Sequence, residues 1–445
     1  MRVQLSAVVA IAISSALGLG SAWGQNQQPA AAASQTAQKT PNWKDRAEYD
    51  LVQSALAEKD PQKKLDLLNQ WKDKYAATDF KEMRLEAFMD TYQALKQPDK
   101  MLAVAKELLD LNPKNLKALY WIALLSVPGQ TTPDGLDLAV KAANGLLNAE
   151  KPAQITDEAA WKQTQTQMAA IGHRTLGWVA SQRKDFDTAE TEIKMELKAN
   201  PGDADATYWL ASALRGRAVA EKVAEKKSEL FTEALFYYAR VAAFDGAGAW
   251  DPPRRKQLET SWLLKAYTDY HGDDPAGFQA LLATAKANAT PPEGFKILSS
   301  DEVATNKLND LKKSSPSLAL WVTIKGQLTA DGGDAYFSGS MKDALVPPEG
   351  QVAFQGKVIS QEPARAPKFV KVSVEDGKTA DATLVFDPPL ARPAEPGTPV
   401  SFRGVPTSFT KLPFTVTFDV DKKNLAGWPA PPTPKKAVVH HKKAN

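Results

Sequence analysis

The chain predicts a two-part α+β protein, an N-terminal α-solenoid of helical hairpins followed by a small all-β domain, barrel or sandwich. Three observations carry that prediction. Small and apolar residues recur at helical spacing in blocks that close on prolines such as Pro113 and Pro201. The apolar period then drops from about 3.6 to 2 between Ala289 and Leu318. Beyond that point, short β-branched and aromatic runs alternate with glycine and proline.

At the start, Arg2 precedes an apolar stretch over 5–19 that is short and rich in Ala, Ser and Gly, and Ala22-Trp23-Gly24 places small residues where a signal peptidase cleaves. Residues 1–24 are expected to be a secretory signal peptide, which puts the mature chain in the periplasm or outside the cell. The sequence contains no cysteine, so neither disulfides nor thiolate chemistry contribute to an exported fold. Residues 25–40 are rich in Ala, Gln and Pro with almost nothing to bury, as in a disordered leader.

Helical periodicity covers 41–290, and its clearest block is 170–203. Gly177 and Ala189 are small where two antiparallel helices must approach. Leu176, Phe186, Ile193 and Leu197 form an apolar stripe, Asp185 marks the turn, and Pro201 stops the second helix. The same frame from Glu82 meets Phe88, Met89, Tyr92, Pro98, Met101, Ala105, Leu108, Leu109 and Pro113. From Leu116 it resumes at Ala139, Ala143, Leu146 and Leu147 after an insertion with Pro128, Gly129 and Pro133. After Pro201 it passes Leu210, Ala211 and Leu214, and a charged insertion over 215–229 precedes Ala234, Tyr238 and Val241. Degenerate units at 44–78 and 253–289 fit the ends of a solenoid. These offsets resemble the tetratricopeptide repeat; in the best block only Glu196 departs, standing where that family usually has a small residue.

Pro291, Pro292 and Pro316 bound an expected linker over 291–316, with a short helix possible at 301–313. A β domain is expected over 317–428. Its runs are 318–328, 334–338, 351–360, 369–375, 382–386, 400–405 and 413–420, and Asp331-Gly332-Gly333-Asp334 reads as a hairpin turn between the first two. Val352-x-Phe354-x-Gly356-x-Val358 and Val400-x-Phe402-x-Gly404-x-Pro406 place glycine where a strand bends sharply, which resembles a small barrel of the OB type. Residues 429–445 form a Pro-rich, then Lys-rich tail, expected to be disordered and suited to weak contact with an anionic surface.

A net charge of +3 is too balanced for a dedicated nucleic-acid binder. No phosphate loop, nucleophile elbow or His-Glu-x-x-His signature is present, so no catalytic, cofactor or metal residue is assigned and the chain is expected not to be an enzyme. His173 and His271 read as ordinary helix residues, the latter at a helix end, and the adjacent His440 and His441 make a poor metal site. By its resemblance, the repeat implies a concave groove lined by Lys117, Tyr120 and Leu124, by Ile171, Arg174 and Trp178, and by Asp205, Tyr208 and Arg215. The family's carboxylate clamp is not reproduced, because Trp178 stands where it needs Asn. The function expected is a protein–protein interaction scaffold whose partner is a polypeptide of the cell envelope, with no nucleic acid and no membrane span in the mature chain. The alternative is an oligosaccharide-binding protein that uses the β domain, with the solenoid as spacer.

Overall fold

The computed structural model describes residues 42–429. The expected signal peptide, the leader and all but the first residue of the basic tail lie outside them. The chain divides into two compact units, one ending at Ser299 and the other beginning at Ser300.

The first unit is a run of six helical hairpins among the described residues. In order they are α1 (Arg46–Ala57) with α2 (Pro61–Lys74), α3 (Lys81–Ala94) with α4 (Pro98–Leu111), and α5 (Leu116–Ser126) with α6 (Pro133–Leu147). Then come α7 (Glu158–Gln182) with α8 (Phe186–Ala199) and α9 (Ala204–Ala220) with α10 (Ala224–Ala243). In the last hairpin α11 (Pro252–Leu258) runs through a π-helical turn, Glu259–Leu263, into α12 (Leu264–His271) and packs with α13 (Pro275–Ala287). Most helices pack on their neighbours in sequence, α7 also touches α5 and α9, and α13 lies chiefly on α10 while meeting α12 through the rings of Phe278 and Tyr267 (5.5 Å).

Local chemistry sets the boundaries. Second helices open on Asp60-Pro61, Thr132-Pro133 and Asp274-Pro275, where the cap oxygen accepts a first-turn N–H and proline fills a position that needs no donor. Two hairpins share one turn: Lys96 and Lys184 are left-handed (φ 56° and 60°), and Gln97 and Asp185 donate back to Tyr92 and Ala180 at 2.9 Å. A Cβ on Gly177 would stand 2.5 Å from Ile193 Cγ1, so a small residue is required where α7 meets α8. The charged stretch expected as an insertion over 215–229 is largely helix, because it lengthens α9 and α10 and leaves only Glu221, Lys222 and Val223 between them.

The second unit begins with α14 (Ser300–Ser314), α15 (Pro316–Thr329) and the short α16 (Gly333–Tyr336), which continues into a π-helical turn, Phe337–Met341. Here the sequence-based expectation is corrected. The first two expected strands are helical, the turn at Asp331-Gly332-Gly333-Asp334 joins two helices, and the unit is not all-β. In α15 the buried Trp321, Ile324 and Leu328 recur at helical spacing. Val322, Thr323 and Ile324 favour a strand in isolation, and packing of Trp321 into the barrel overrides that preference.

Seven strands follow: β1 (Phe354–Glu362), β2 (Phe369–Ser373), β3 (Ala382–Val385), β4 (Pro399–Phe402), β5 (Val405–Lys411), β6 (Phe414–Asp419) and β7 (Leu425–Ala426). They form one sheet in the order β5-β6-β3-β2-β1-β4-β7, antiparallel except for the parallel pair β3 and β6. Only Arg403 and Gly404 separate β4 from β5, yet β4 pairs with β1 and β5 with β6. One bent run of chain therefore joins both ends of the series β1-β2-β3-β6 and closes it into a barrel, not a two-sheet sandwich. Gly404 permits the bend, since a Cβ there would lie 2.8 Å from Asp419 O, Phe418 Cβ and Val420 Cγ2. Phe354, Phe402 and Phe418 fill the interior, and Trp321 of α15 meets Phe354 edge-on at 5.0 Å. Its indole N–H donates to Asp381 Oδ2 (3.2 Å), while the Asp381 carboxylate also accepts from the N–H groups of Val374 and Glu375.

Candidate functional site

The residues expected to line a groove separate into two groups. Tyr120 and Trp178 are buried, at 4% and 2% exposure, and this corrects their assignment as groove residues. Trp178 packs with Val127, Leu136, Ala139 and Val179, where α7 meets the preceding hairpin. An indole this large at a helix–helix contact contributes core area rather than a binding surface. Leu124 and Ile171 lie half-buried against the core of the second and third hairpins. Lys117 pairs with Asp90 across neighbouring first helices.

Arg174, Asp205, Tyr208 and Arg215 come together with Trp209, Trp250 and Arg254, which the repeat frame did not single out, and with Tyr238 of α10 and Trp262 of the last hairpin. Asp205 links them: it accepts from Trp250 Nε1 at 2.7 Å and Arg254 Nη1 at 3.3 Å, and Arg174 Nη2 lies 3.8 Å away. Arg174 also donates through Nε to Asp203 (2.9 Å) and lies over the ring of Trp209 at 4.8 Å. Arg254 lies 3.3 Å from the centre of Trp250, whose ring is 5.2 Å from Tyr208. Tyr208 meets Tyr238 edge-on at 5.5 Å, Tyr238 is 4.3 Å from Trp262, and Arg215 lies over Trp262 at 5.2 Å. A ribbon of rings, Trp250, Tyr208, Tyr238 and Trp262, thus runs from α9 to the last hairpin with Arg254 and Arg215 at its two ends; Tyr238 is buried, while Tyr208, Trp250 and Trp262 are half-exposed and both arginines are exposed. Burial pushes the Tyr238 phenol upward, and its hydroxyl is 2.9 Å from Ser212 Oγ.

The ribbon ends in a pocket of about 410 Å³ lined by Arg215, Phe231, Trp262, Lys265, Ala266, Asp269 and Tyr270. The π-helical turn Glu259–Leu263 supplies Trp262, and insertions of this kind re-aim side chains within an otherwise regular helix. Phe231 and Tyr270 touch each other, with ring centres 5.2 Å apart, and form one continuous wall. Lys265 and Asp269 pair at 2.6 Å one turn apart. Trp250 and Tyr270 escaped the repeat frame because they sit in a loop and a terminal hairpin, whereas Trp262 stands among the apolar residues of the degenerate last unit over 253–289. The aromatic richness of 250–270 was the available signal.

Under the ribbon, Glu196 is fully buried. Its Oε1 accepts from Asn200 Nδ2 at 3.1 Å and its Oε2 has no partner. Burial, reinforced by the neighbouring Asp203, raises this carboxyl to about 8, while Asn200 and Arg174 act in the opposite direction. His173 Nδ1 is 2.7 Å from Glu192 Oε2, and His271 Nδ1 is 2.7 Å from the Leu298 carbonyl, so both imidazoles are tied into structural contacts. Among the described residues, no three His, Asp or Glu side chains gather as a metal site, and no helix is long and apolar enough to cross a membrane. Comparison with known protein families, curated proteins and solved structures finds no match.

Proposed function

We propose that the helical unit is a tetratricopeptide-like scaffold that holds a polypeptide of the cell envelope along the face carried by α7, α9 and the last hairpin. The observation that supports this reading is the ribbon from Trp250 to Trp262. Interface anchors are enriched in Trp, Tyr and Arg, and here Tyr208, Trp250 and Trp262 keep part of each ring at the surface beside the exposed Arg215 and Arg254, although Tyr208 and Trp262 also rest on the core that holds Tyr238. Ion pairs to Asp203 and Asp205 hold the Arg174 fork in place, which lowers the ordering entropy lost on binding. The sequence features at Arg2 and over 22–24 favour an exported chain. N-terminal sequencing of the mature protein then begins near Gln25, and an intact Met1 on a cytoplasmic product refutes export.

A photo-crosslinking residue at Tyr208, introduced in the native cell, tests the scaffold reading. The expected product is a discrete polypeptide adduct, which Arg254→Gln, at an exposed cation over Trp250, reduces while the chain stays folded. Adducts confined to glycan or lipid overturn the reading and favour the β domain as the binding part.

A further inference from the structure

We propose that the pocket between α9, α10 and α12 receives one large apolar side chain of the bound polypeptide, while Arg215 takes the carboxylate of an acidic residue beside it. The inference rests on the scaffold reading above and names the chemistry of its partner.

Shape and charge both select that occupant. Phe231, Trp262 and Tyr270 offer ring faces, and 410 Å³ is room for one aromatic or branched aliphatic group with its backbone. The charges of Lys265 and Asp269 offset one another, whereas Arg215 has no carboxylate partner among the described residues. Its guanidinium lies over Trp262 and close to Tyr238, so it is already oriented before a ligand arrives. A neutral or basic segment seated on Trp262 takes water from this cation and returns nothing. An acidic one restores a charge-assisted pair. The same argument disfavours a cationic ligand in the pocket.

The test uses the full-length chain and an array of ten-residue peptides with central Phe or Leu, flanked by Glu, Gln or Lys. Capture of the Glu series at least tenfold better than the Lys series is expected. Arg215→Gln should remove the preference for Glu while retaining the preference for Phe and Leu over Ser. Ala266→Trp, which fills the pocket from its own wall, should abolish capture with an unchanged melting temperature; if that variant is destabilised, the Arg215→Gln result decides. Equal capture of Glu and Lys peptides by the wild type overturns the proposal, as does undiminished capture by a folded Ala266→Trp variant. Capture of no peptide also overturns it. In any of these cases, polypeptide adducts at Tyr208 still uphold the scaffold reading, which separates failure of the pocket from failure of the scaffold.

Discussion

Glu196 shows how a single departure from a repeat pattern becomes a physical property. A small residue at its position lets two helices close, but this chain buries a carboxyl there with one oxygen unpartnered. Its ordinary value in the unfolded chain is 4.5, and in the fold it rises to about 8. Between those values the folded chain keeps a proton that the unfolded chain has lost, so stability falls as pH rises through the window and changes no further above it. Glu196→Gln should remove this slope. Its advantage over the wild type should be near zero at pH 4.5 and reach on the order of 2 to 4 kcal/mol at pH 8.5, read from urea unfolding at both values. A variant that parallels the wild type across the range refutes the assignment. Trp178 is the complementary case: sequence position suggested a binding anchor, and burial makes it a core residue. Trp178→Ala should lower stability by about 3 to 5 kcal/mol in the same assay, and a loss under about 1 kcal/mol would place the indole outside the core.

At the scale of elements, Ala189 and Gly177 decide how closely α7 and α8 pack. Ala189 is fully buried, while Thr188 beside it is exposed and contributes to the turn only through its backbone N–H, bound to Asp185. Ala189→Trp should cost about 1 to 3 kcal/mol by overpacking, and Thr188→Lys should be nearly silent in thermal unfolding. Equal effects would mean that the hairpin register is off by a residue. Helix α15 shows where local reading stops. Its β-branched run and a following Gly-Gly pair resemble a strand and hairpin, yet Trp321 at the barrel interior selects a helix, because only that geometry also brings Ile324 and Leu328 inward. The strand boundary at Gly404 was legible as a bend, whereas β5 and the two-residue β7 carried too little alternation to be distinguished.

For the whole molecule, the relevant boundary is the one at Ser299 and Ser300, which assigns α14 and α15 to the second unit. A fragment of residues 300–429 should therefore melt cooperatively with a mixed helix and sheet spectrum. One beginning at 330 lacks the Trp321 plug and the indole bond to Asp381, and should be unfolded. Cooperative melting of the shorter fragment would show that the barrel does not depend on α15.

Sequence alone determined the order of the two parts, the positions of the helical hairpins and the bend in the barrel. Each of these follows from short-range spacing: small residues at close approaches, apolar stripes at helical period, proline after helix ends and glycine where the strand bends. The tertiary structure alone decided which aromatic residues serve the core and which remain available. Trp178 and Trp262 both stand among helical apolar residues, and neither spacing nor composition separates them. Their difference arises from what lies across from each side chain, a neighbouring hairpin for Trp178 and an open pocket for Trp262. That information belongs to residues distant in the chain, because burial is a property of the assembled surface and not of the segment that carries the side chain.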